Sequence, residues 1–357
     1  MAQMLSLTKV LKSGAGWYRG DFHAHTSFSD GFYSPLELVN VARAERLDFF
    51  AVTDHNTIVP SPYFGGPNDI LIIPGIEVTL TEGHFNLLGI EEQTDWLKAV
   101  CSGQSPITFE GSGQTVTEFM KQAAGRSWLN SINHPFLSPW SWLDQTTDLT
   151  YLHCLEILND PSWPANAQAN PQAVTMWSRW LNAGYRVSAI GGSDYHRPEP
   201  RPGENKPPER LGLPSTYVYA TELSGIAVLY GVRERRVYVS MGPQVSFQAE
   251  VNGASYDIGA DLGQVDGQLT LTAVISNSPK PGLAQIVKNG QVVAETVIAE
   301  NSLTSLTYHD QIFSAEPAWY RLDVWTLYGQ ILALTNPIFA GPRLKPGLLK
   351  YRDFLDS

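Results

Sequence analysis

The sequence predicts an α/β domain built on a largely parallel sheet or barrel, followed by a small antiparallel β-sandwich. The chain has 357 residues, which is enough for two domains of roughly 150 residues each. From about residue 17 to 240, short apolar runs alternate with helical patterns, as in α/β folds. After about residue 243, apolar side chains recur at every second position, which is typical of strands with one buried face.

Four apolar runs in the first part read as buried strands. They are Leu47–Thr53, Ile70–Ile73, Trp128–Ile132 and Val187–Ile190. Helices with recognisable ends lie between them. Ser34-Pro35-Leu36-Glu37 and Thr115-Val116-Thr117-Glu118 are capping boxes, and Gly125 would end the second of these helices. A third helix is predicted to start at Asn170-Pro171 and to end at Gly184.

The second part has the features of an antiparallel β-domain. Leu269, Leu271, Ala273 and Ile275 share one face of a predicted strand, and Asn289-Gly290 marks a hairpin. A further strand around Tyr320–Val324 is followed by a turn at Tyr328-Gly329. We therefore predict domains at residues 1–243 and 244–341, with residues 342–357 as a surface tail.

Composition and charge limit the function. The chain has 24 Lys and Arg against 35 Asp and Glu, a net charge of -11, so it has no generic attraction for nucleic acid or for an anionic membrane. An anionic ligand would need a local positive site. Two cysteines exclude a disulfide scaffold or a cysteine-built metal site. No stretch approaches the roughly 18 apolar residues of a membrane span, so we expect a cytoplasmic protein.

The placement of the eight histidines is the most informative feature. Six of them stand at or just after predicted strands, beside other ligand-type residues, namely His23, His25, His55, His84, His134 and His196. In a parallel barrel the strand ends meet at one rim, so these side chains would converge there. His23-Ala24-His25 and Asp194-Tyr195-His196 each place two ligand-type side chains on the same face. His153 and His309 lack such partners, and we interpret them as ordinary histidines.

These motifs resemble a known family. The segments are His23-Ala24-His25, Ser29-Asp30-Gly31, Thr53-Asp54-His55, Glu77, His84, Asn133-His134-Pro135 and Ser193-Asp194-Tyr195-His196. Together they resemble the PHP (polymerase and histidinol phosphatase) family, in particular its stand-alone predicted phosphoesterases of the CehA/McbA type. Asn336-Pro337-Ile338 resembles the β-domain that is often attached in that subgroup.

The resemblance implies a distorted barrel of seven β/α units that holds two or three divalent ions, zinc, manganese or iron. By position, His23, His25, Glu77 and Asp194 would hold the first ion. Glu77 would bridge to a second ion on His84 and His134. Asp30, His55 and His196 would hold a third. Asp30 stands where some relatives carry histidine.

Charge arithmetic points to an anionic substrate. Six neutral imidazoles and three carboxylates carry about -3, three divalent ions carry about +6, and about +3 remains at the rim. We therefore predict a metal-dependent phosphoesterase (EC 3.1) in which a metal-bridging hydroxide attacks a small phosphorylated molecule or nucleotide. The same site could act on an aryl ester or carbamate. A third reading is a non-catalytic binding module stabilised by metal.

Further candidates surround the predicted ligands. Asp54 is either a residue that orients an imidazole or an ordinary turn aspartate. Arg197 follows the last predicted ligand and could pair with phosphate, as could Arg201, Arg210 and, less directly, Arg19. Four tryptophans either line a pocket or pack in the core, namely Trp140, Trp142, Trp163 and Trp177.

Overall fold

The protein is a mixed α/β structure with one large sheet. The computed structural model describes residues 4–66, 69–102, 106–107, 115–347 and 349–355. In the first part, the strands are β1 (Lys12–Asp21), β2 (Phe49–Val52), β3 (Leu71–Leu80), β4 (Gly83–Leu88), β5 (Leu129–Ile132), β6 (Cys154–Asn159), β7 (Ser188–Gly192), β8 (Ser215–Leu223) and β9 (Val237–Ser240). The helices are α1 (Pro35–Ala44), α2 (Asp95–Ser102), α3 (Val116–Ala124), α4 (Asn166–Asn182) and α5 (Gly225–Arg233).

The four predicted strands of the first part are confirmed as β2, β3, β5 and β7, with shifts of one or two residues at most ends, but β3 continues to Leu80, seven residues beyond the predicted strand. Both capping boxes are present, on Ser34 and on Thr115, and Gly125 is the C-cap of α3. The prediction that α4 starts at Asn170-Pro171 is wrong, because α4 begins at Asn166 and contains Pro171. The Asn170 side chain bonds the backbone of Asn159 at the end of β6, so it does not act as a cap.

The sheet is mixed, where the sequence predicted a largely parallel one. Strands β1, β2 and β3 are parallel, as are β5, β6 and β7. Strand β4 runs antiparallel to both β3 and β5. Only residues 81 and 82 join β3 to β4, and a parallel connection needs a dozen residues or more. The tight turn therefore dictates the antiparallel pair.

The edge strand β7 contacts β8 and β9 through side chains. Thr216 Oγ1 on β8 accepts a hydrogen bond from the Gly191 amide at 2.9 Å and donates one to the Gly191 carbonyl at 2.8 Å. Asn336 accepts from the Ala189 amide at 2.9 Å and donates to the Ala189 and Val237 carbonyls at 2.9 and 3.1 Å. These bonds satisfy part of the open edge of β7, which carries two predicted ligands beyond its end.

The second part consists of nine strands in two sheets. They are β10 (Gln244–Val251), β11 (Ala254–Asp257), β12 (Gly267–Ser276), β13 (Gly282–Lys288), β14 (Gln291–Ile298), β15 (Thr304–Ile312), β16 (Ala318–Thr326), β17 (Ile331–Thr335) and β18 (Ile338–Ala340). Strands β11, β10, β12 and β15 form one sheet, and the others extend the large sheet through the pairing of β17 with β9. Both sheets contribute to a common core that includes Phe247, Leu271 and Leu322. The predicted face of β12 is buried.

Two predicted turns of this part are confirmed. Asn289 and Gly290 both have positive φ, 51° and 85°, between β13 and β14, as a type I′ hairpin requires. Gly329 has a φ of 77° between β16 and β17. The large sheet runs through the predicted boundary near residue 243, and the domain limits themselves stay predictions.

Part of the predicted C-terminal tail packs against the core. A short 3-10 helix at Tyr351–Phe354 buries both aromatic side chains against Trp180, with ring centroids 6.0 and 6.4 Å apart. The prediction weighed the proline and cationic residues of this segment and overlooked its two aromatic side chains. In the described part of the chain, no helix is both long enough and apolar enough to cross a membrane.

Candidate metal centre

Side chains from distant parts of the sequence meet at one end of the first sheet. The nine predicted ligands lie in four overlapping groups that also include Glu156. The groups are His25, Asp30, His55 and His196; His23, His25, Glu77 and Asp194; His23, His134 and Glu156; and His55, Glu77 and His84. Within each group the potential ligand atoms lie within 4.8 Å of one another. The predicted convergence of these side chains is therefore present.

Glu77 is the centre of the cluster. It lies on β3 and is fully buried. Five imidazole nitrogens lie 3.0 to 3.4 Å from its carboxylate oxygens, those of His23, His25, His55, His84 and His134. Asn133 donates to Glu77 Oε1 at 2.9 Å. One carboxylate is thus shared by five histidines from four chain segments.

These separations fit ligands of common cations. Bonds of about 2.1 Å place neighbouring ligand atoms about 3.0 Å apart in an octahedron and about 3.4 Å apart in a tetrahedron. The buried atoms His23 Nε2 and Glu77 Oε2 have no hydrogen-bond partner within the described residues. Because unpaired buried polar atoms are costly, the nitrogen and oxygen donors of this cluster fit divalent ions.

The electrostatics of the cluster also favour bound cations. Burial lowers the pKa of His23, but the carboxylates of Asp194, Glu77 and Glu156 outweigh this and raise it well above its usual value. Burial and the neighbouring imidazoles of His196 and His55 lower the pKa of His25 to about 3. The carboxylates thus create a negative field around His23 that a bound cation would also offset, and His25 is kept in the neutral form that a metal ligand requires.

Two predicted ligands have strained backbones. His134 and Asp194 have φ values of 28° and 50°, a region that costs non-glycine residues about 1–3 kcal/mol. Glu156 holds the first, since its Oε2 accepts from the His134 amide at 2.8 Å. Asp21 holds the segment of the second, since its carboxylate accepts from the amide and hydroxyl of Ser193.

Glu156 and Asp21 are the site residues that the sequence reasoning missed. Glu156 Oε1 lies 2.9 Å from His23 Nδ1, so it orients this imidazole and fixes its tautomer. It is a single charge inside the apolar run of β6, and that contrast could have revealed it. Asp21 also accepts from the His23 amide at 3.0 Å and the Gly212 amide at 2.7 Å.

Asp54 has a different contact from the predicted one. Its carboxylate accepts four hydrogen bonds of 2.6 to 3.0 Å from the amides and hydroxyls of Thr26 and Ser29. It therefore holds the loop that carries Asp30, and the expectation that it orients an imidazole is wrong. The sequence could not distinguish the two partners, because both lie beyond the end of a strand.

The cluster forms part of the wall of a cavity of about 180 Å³. Arg197, Arg201 and Lys206 also line it, as do Trp140 and Trp163. The two tryptophan rings meet edge to face, with centroids 5.6 Å apart. The cavity therefore combines charged side chains of both signs with an aromatic surface.

The other candidate arginines and tryptophans lie elsewhere. Arg210 pairs with Glu45 at 2.8 Å, and Arg19 donates to Ser215 and to two backbone carbonyls. Trp142 and Trp177 are buried in the core. The sequence left two roles open for these four tryptophans. Trp140 and Trp163 line the cavity, and Trp142 and Trp177 pack in the core.

Glu209 links the last predicted ligand to the cavity wall. One of its oxygens accepts from the amides of His196 and Arg197 at 2.7 and 2.9 Å. The other accepts from the Lys206 ammonium at 2.7 Å. This ammonium also lies 4.9 Å from the centre of the Trp163 ring. Loop residues 197–209 are thereby tied to the metal centre.

Comparisons with known proteins give limited similarity. No family model matches the chain. An uncharacterized protein of Methanocaldococcus jannaschii is 38% identical over 73 residues, which cover 17% of this chain. The chain spans only 34% of the length of that relative.

Two solved structures are similar over larger parts of the chain. A two-domain protein of Bacteroides vulgatus, described as containing a predicted PHP-like metal-dependent phosphoesterase, is 17% identical, with 94% of this chain and 99% of that chain covered and a TM-score of 0.48. A protein of Bifidobacterium adolescentis, provisionally described as a metal-dependent phosphoesterase, is 16% identical, with 54% and 91% covered and a TM-score of 0.36.

Proposed function

We propose that this chain is a metal-dependent phosphoesterase of the PHP type that hydrolyses a small phosphorylated molecule or nucleotide. The observation that carries the proposal is the buried Glu77 surrounded by five imidazoles, beside a cavity whose wall includes Arg197 and Arg201. The CehA/McbA subgroup, the seven-unit barrel with its β-sandwich, the nine individual ligands and the cytoplasmic location belong to the same proposal.

Each group of residues has a distinct role in this proposal. Divalent ions, when bound, would lower the pKa of water and offset the charge of the phosphate. Glu77 and Asp194 would hold the ions together with the imidazoles. Glu156 holds the ring of His23 in one tautomer. Arg197 and Arg201, on the cavity wall, would orient the phosphoryl group by charge-assisted hydrogen bonds.

The test is turnover of p-nitrophenyl phosphate after loading with zinc, manganese or iron. We expect His25→Ala and Asp194→Asn to lower kcat/KM at least a hundredfold, since each removes a donor from the cluster. His309→Ala is the matched control, because His309 is exposed and contacts Thr270 in the second part. Equal turnover in all four proteins would refute the proposal.

Hydrolysis of an aryl ester or carbamate is the second candidate, favoured by the aromatic surface of Trp140 and Trp163 in the cavity. p-Nitrophenyl acetate and a naphthyl carbamate, assayed beside p-nitrophenyl phosphate, separate the two. Higher kcat/KM on the carbonyl substrates would favour this candidate. Metal binding without turnover of any of the three would favour the non-catalytic module.

A further inference from the structure

A carboxyl group outside the metal cluster stands in the wall of the same cavity. Asp160 is the first residue after β6, and it lines the cavity together with His134 and Asp194. Only 7% of the residue is exposed. Among the described residues, Asp160 belongs to none of the four potential metal groups. Its carboxyl group therefore faces the reaction space without being needed to hold an ion.

The surroundings fix this carboxyl group and leave one oxygen available. Oδ1 accepts from the amide of Ser162 at 2.9 Å and from its hydroxyl at 2.6 Å. The backbone carbonyl of Asp160 accepts from Asn166 at 2.9 Å. Oδ2 lies 3.9 Å from the ammonium of Lys206, which is longer than a hydrogen bond. The group is thus rigidly placed, with Oδ2 free to exchange a proton.

Burial and charge keep part of this group protonated near neutral pH. Burial raises the pKa of Asp160 to about 6, the hydrogen bonds from Ser162 lower it, the carboxylate of Glu209 raises it, and Lys206 lowers it. Arg197, Arg201 and Glu204 also line the cavity. The raised pKa lets this carboxyl group keep its proton closer to neutral pH than an ordinary aspartate does, which suits a general acid.

We propose that Asp160 is the general acid that protonates the leaving group. This inference rests on the proposed function. Water oxygen forms a bond to phosphorus and releases a proton to solvent. The bond from phosphorus to the leaving oxygen breaks, its electron pair goes to that oxygen, and the oxygen takes the proton of Asp160 Oδ2. The products are phosphate and an alcohol. The carboxylate that remains is stabilised by Lys206 until it takes a proton from solvent.

The test compares two leaving groups in Asp160→Asn. Alkoxide is a poor leaving group and needs the proton, whereas p-nitrophenolate does not. We expect kcat for propyl phosphate to fall about a hundredfold or more and kcat for p-nitrophenyl phosphate to change less than about threefold. The exposed Asp257→Asn is the matched control and should leave both rates unchanged. An equal loss on both substrates, or no loss on propyl phosphate, would overturn the inference.

A second measurement reads the proton directly. In the metal-loaded protein with carbon-13 in its aspartate carboxyl groups, one resonance should titrate above the usual range of aspartate and be missing from Asp160→Asn. Over the same range, the wild-type rate on propyl phosphate should fall as pH rises, and that limb should be absent from the variant. Titration of the Asp160 resonance near pH 4 would overturn the inference. If the wild-type protein hydrolyses p-nitrophenyl phosphate, any such failure concerns Asp160 alone. If it hydrolyses neither phosphate, the proposed function fails as well.

Discussion

Replacing Glu77 by glutamine should remove most of the stabilisation that metal ions confer. Glu77 belongs to two of the four potential metal groups, and the substitution keeps its size but removes its charge. A ligand at a thousandfold excess over its Kd stabilises the native state by about 4.1 kcal/mol per site. Two groups that depend on Glu77 therefore contribute about 8 kcal/mol at that metal concentration.

This free energy converts into a measurable change of melting temperature. An unfolding entropy of about 2.1 cal/mol/K per residue gives about 0.75 kcal/mol/K for the whole chain. Metal should then raise the Tm of the wild-type protein by about 11 °C more than that of Glu77→Gln. The assay is differential scanning fluorimetry of chelator-treated protein titrated with zinc or manganese, with metal content measured in parallel.

The matched control for Glu77→Gln is a glutamate far from the cluster. Glu250→Gln changes an exposed glutamate of β10 in the second part, so its metal-dependent shift should equal that of the wild-type protein. An equal shift in Glu77→Gln and in the wild-type protein would show that Glu77 holds no ion. If the two proteins also had equal metal content, the cluster would be only a network of hydrogen-bonded imidazoles.

Four further predictions follow from other contacts. Gly192→Ala should lower metal affinity at least tenfold by equilibrium dialysis, because a Cβ would lie 2.3 Å from the Cβ of His23. Asn336→Leu should lower the free energy of unfolding in urea by about 2–4 kcal/mol, because it leaves the backbone groups of β7 unpaired. Arg321→Ala should cost about 3–5 kcal/mol in the same assay, because it breaks a buried ion pair. The pKa of Asp160 is raised in the folded state, so ionisation of this carboxyl group destabilises the wild-type fold as pH rises through about 6. The free energy of unfolding of Asp160→Asn should therefore rise by about 3 kcal/mol relative to that of the wild-type protein between pH 4 and pH 8.

Each of these predictions has an outcome that contradicts it. Gly16→Ala has open space around the new Cβ, so a loss of metal affinity equal to that of Gly192→Ala would point to a general effect of alanine. An unchanged urea midpoint in Asn336→Leu would mean that β7 needs no side-chain partner. For Arg321, a much smaller loss in Arg321→Met than in Arg321→Ala would contradict the ion-pair reason, because methionine removes the charge but still packs between Trp177 and Trp319. A pH-independent difference for Asp160→Asn would contradict the burial argument.

The local features of the fold were predictable because their causes are local. The capping boxes at Ser34 and Thr115 and the hairpin at Asn289-Gly290 depend on residues within four positions of each other. The apolar period of β12 was sufficient to identify its buried face. Where a distant partner decided the outcome, the prediction failed. Asn170 bonds the end of β6 and so is not a cap, and Tyr351 packs on Trp180.

The sequence by itself determined which side chains could form the site, because imidazoles and carboxylates repeat beyond the ends of strands whose apolar runs are readable. Only the tertiary structure decided the partners of each carboxylate. Asp54, just beyond β2, and Glu156, within β6, are both buried acidic residues beside apolar runs, yet one holds a loop and the other an imidazole. The physical reason is that a hydrogen bond is selected by distances of about 3 Å. Such distances depend on how the strands curve and pack across the whole sheet, which no local pattern of residues encodes.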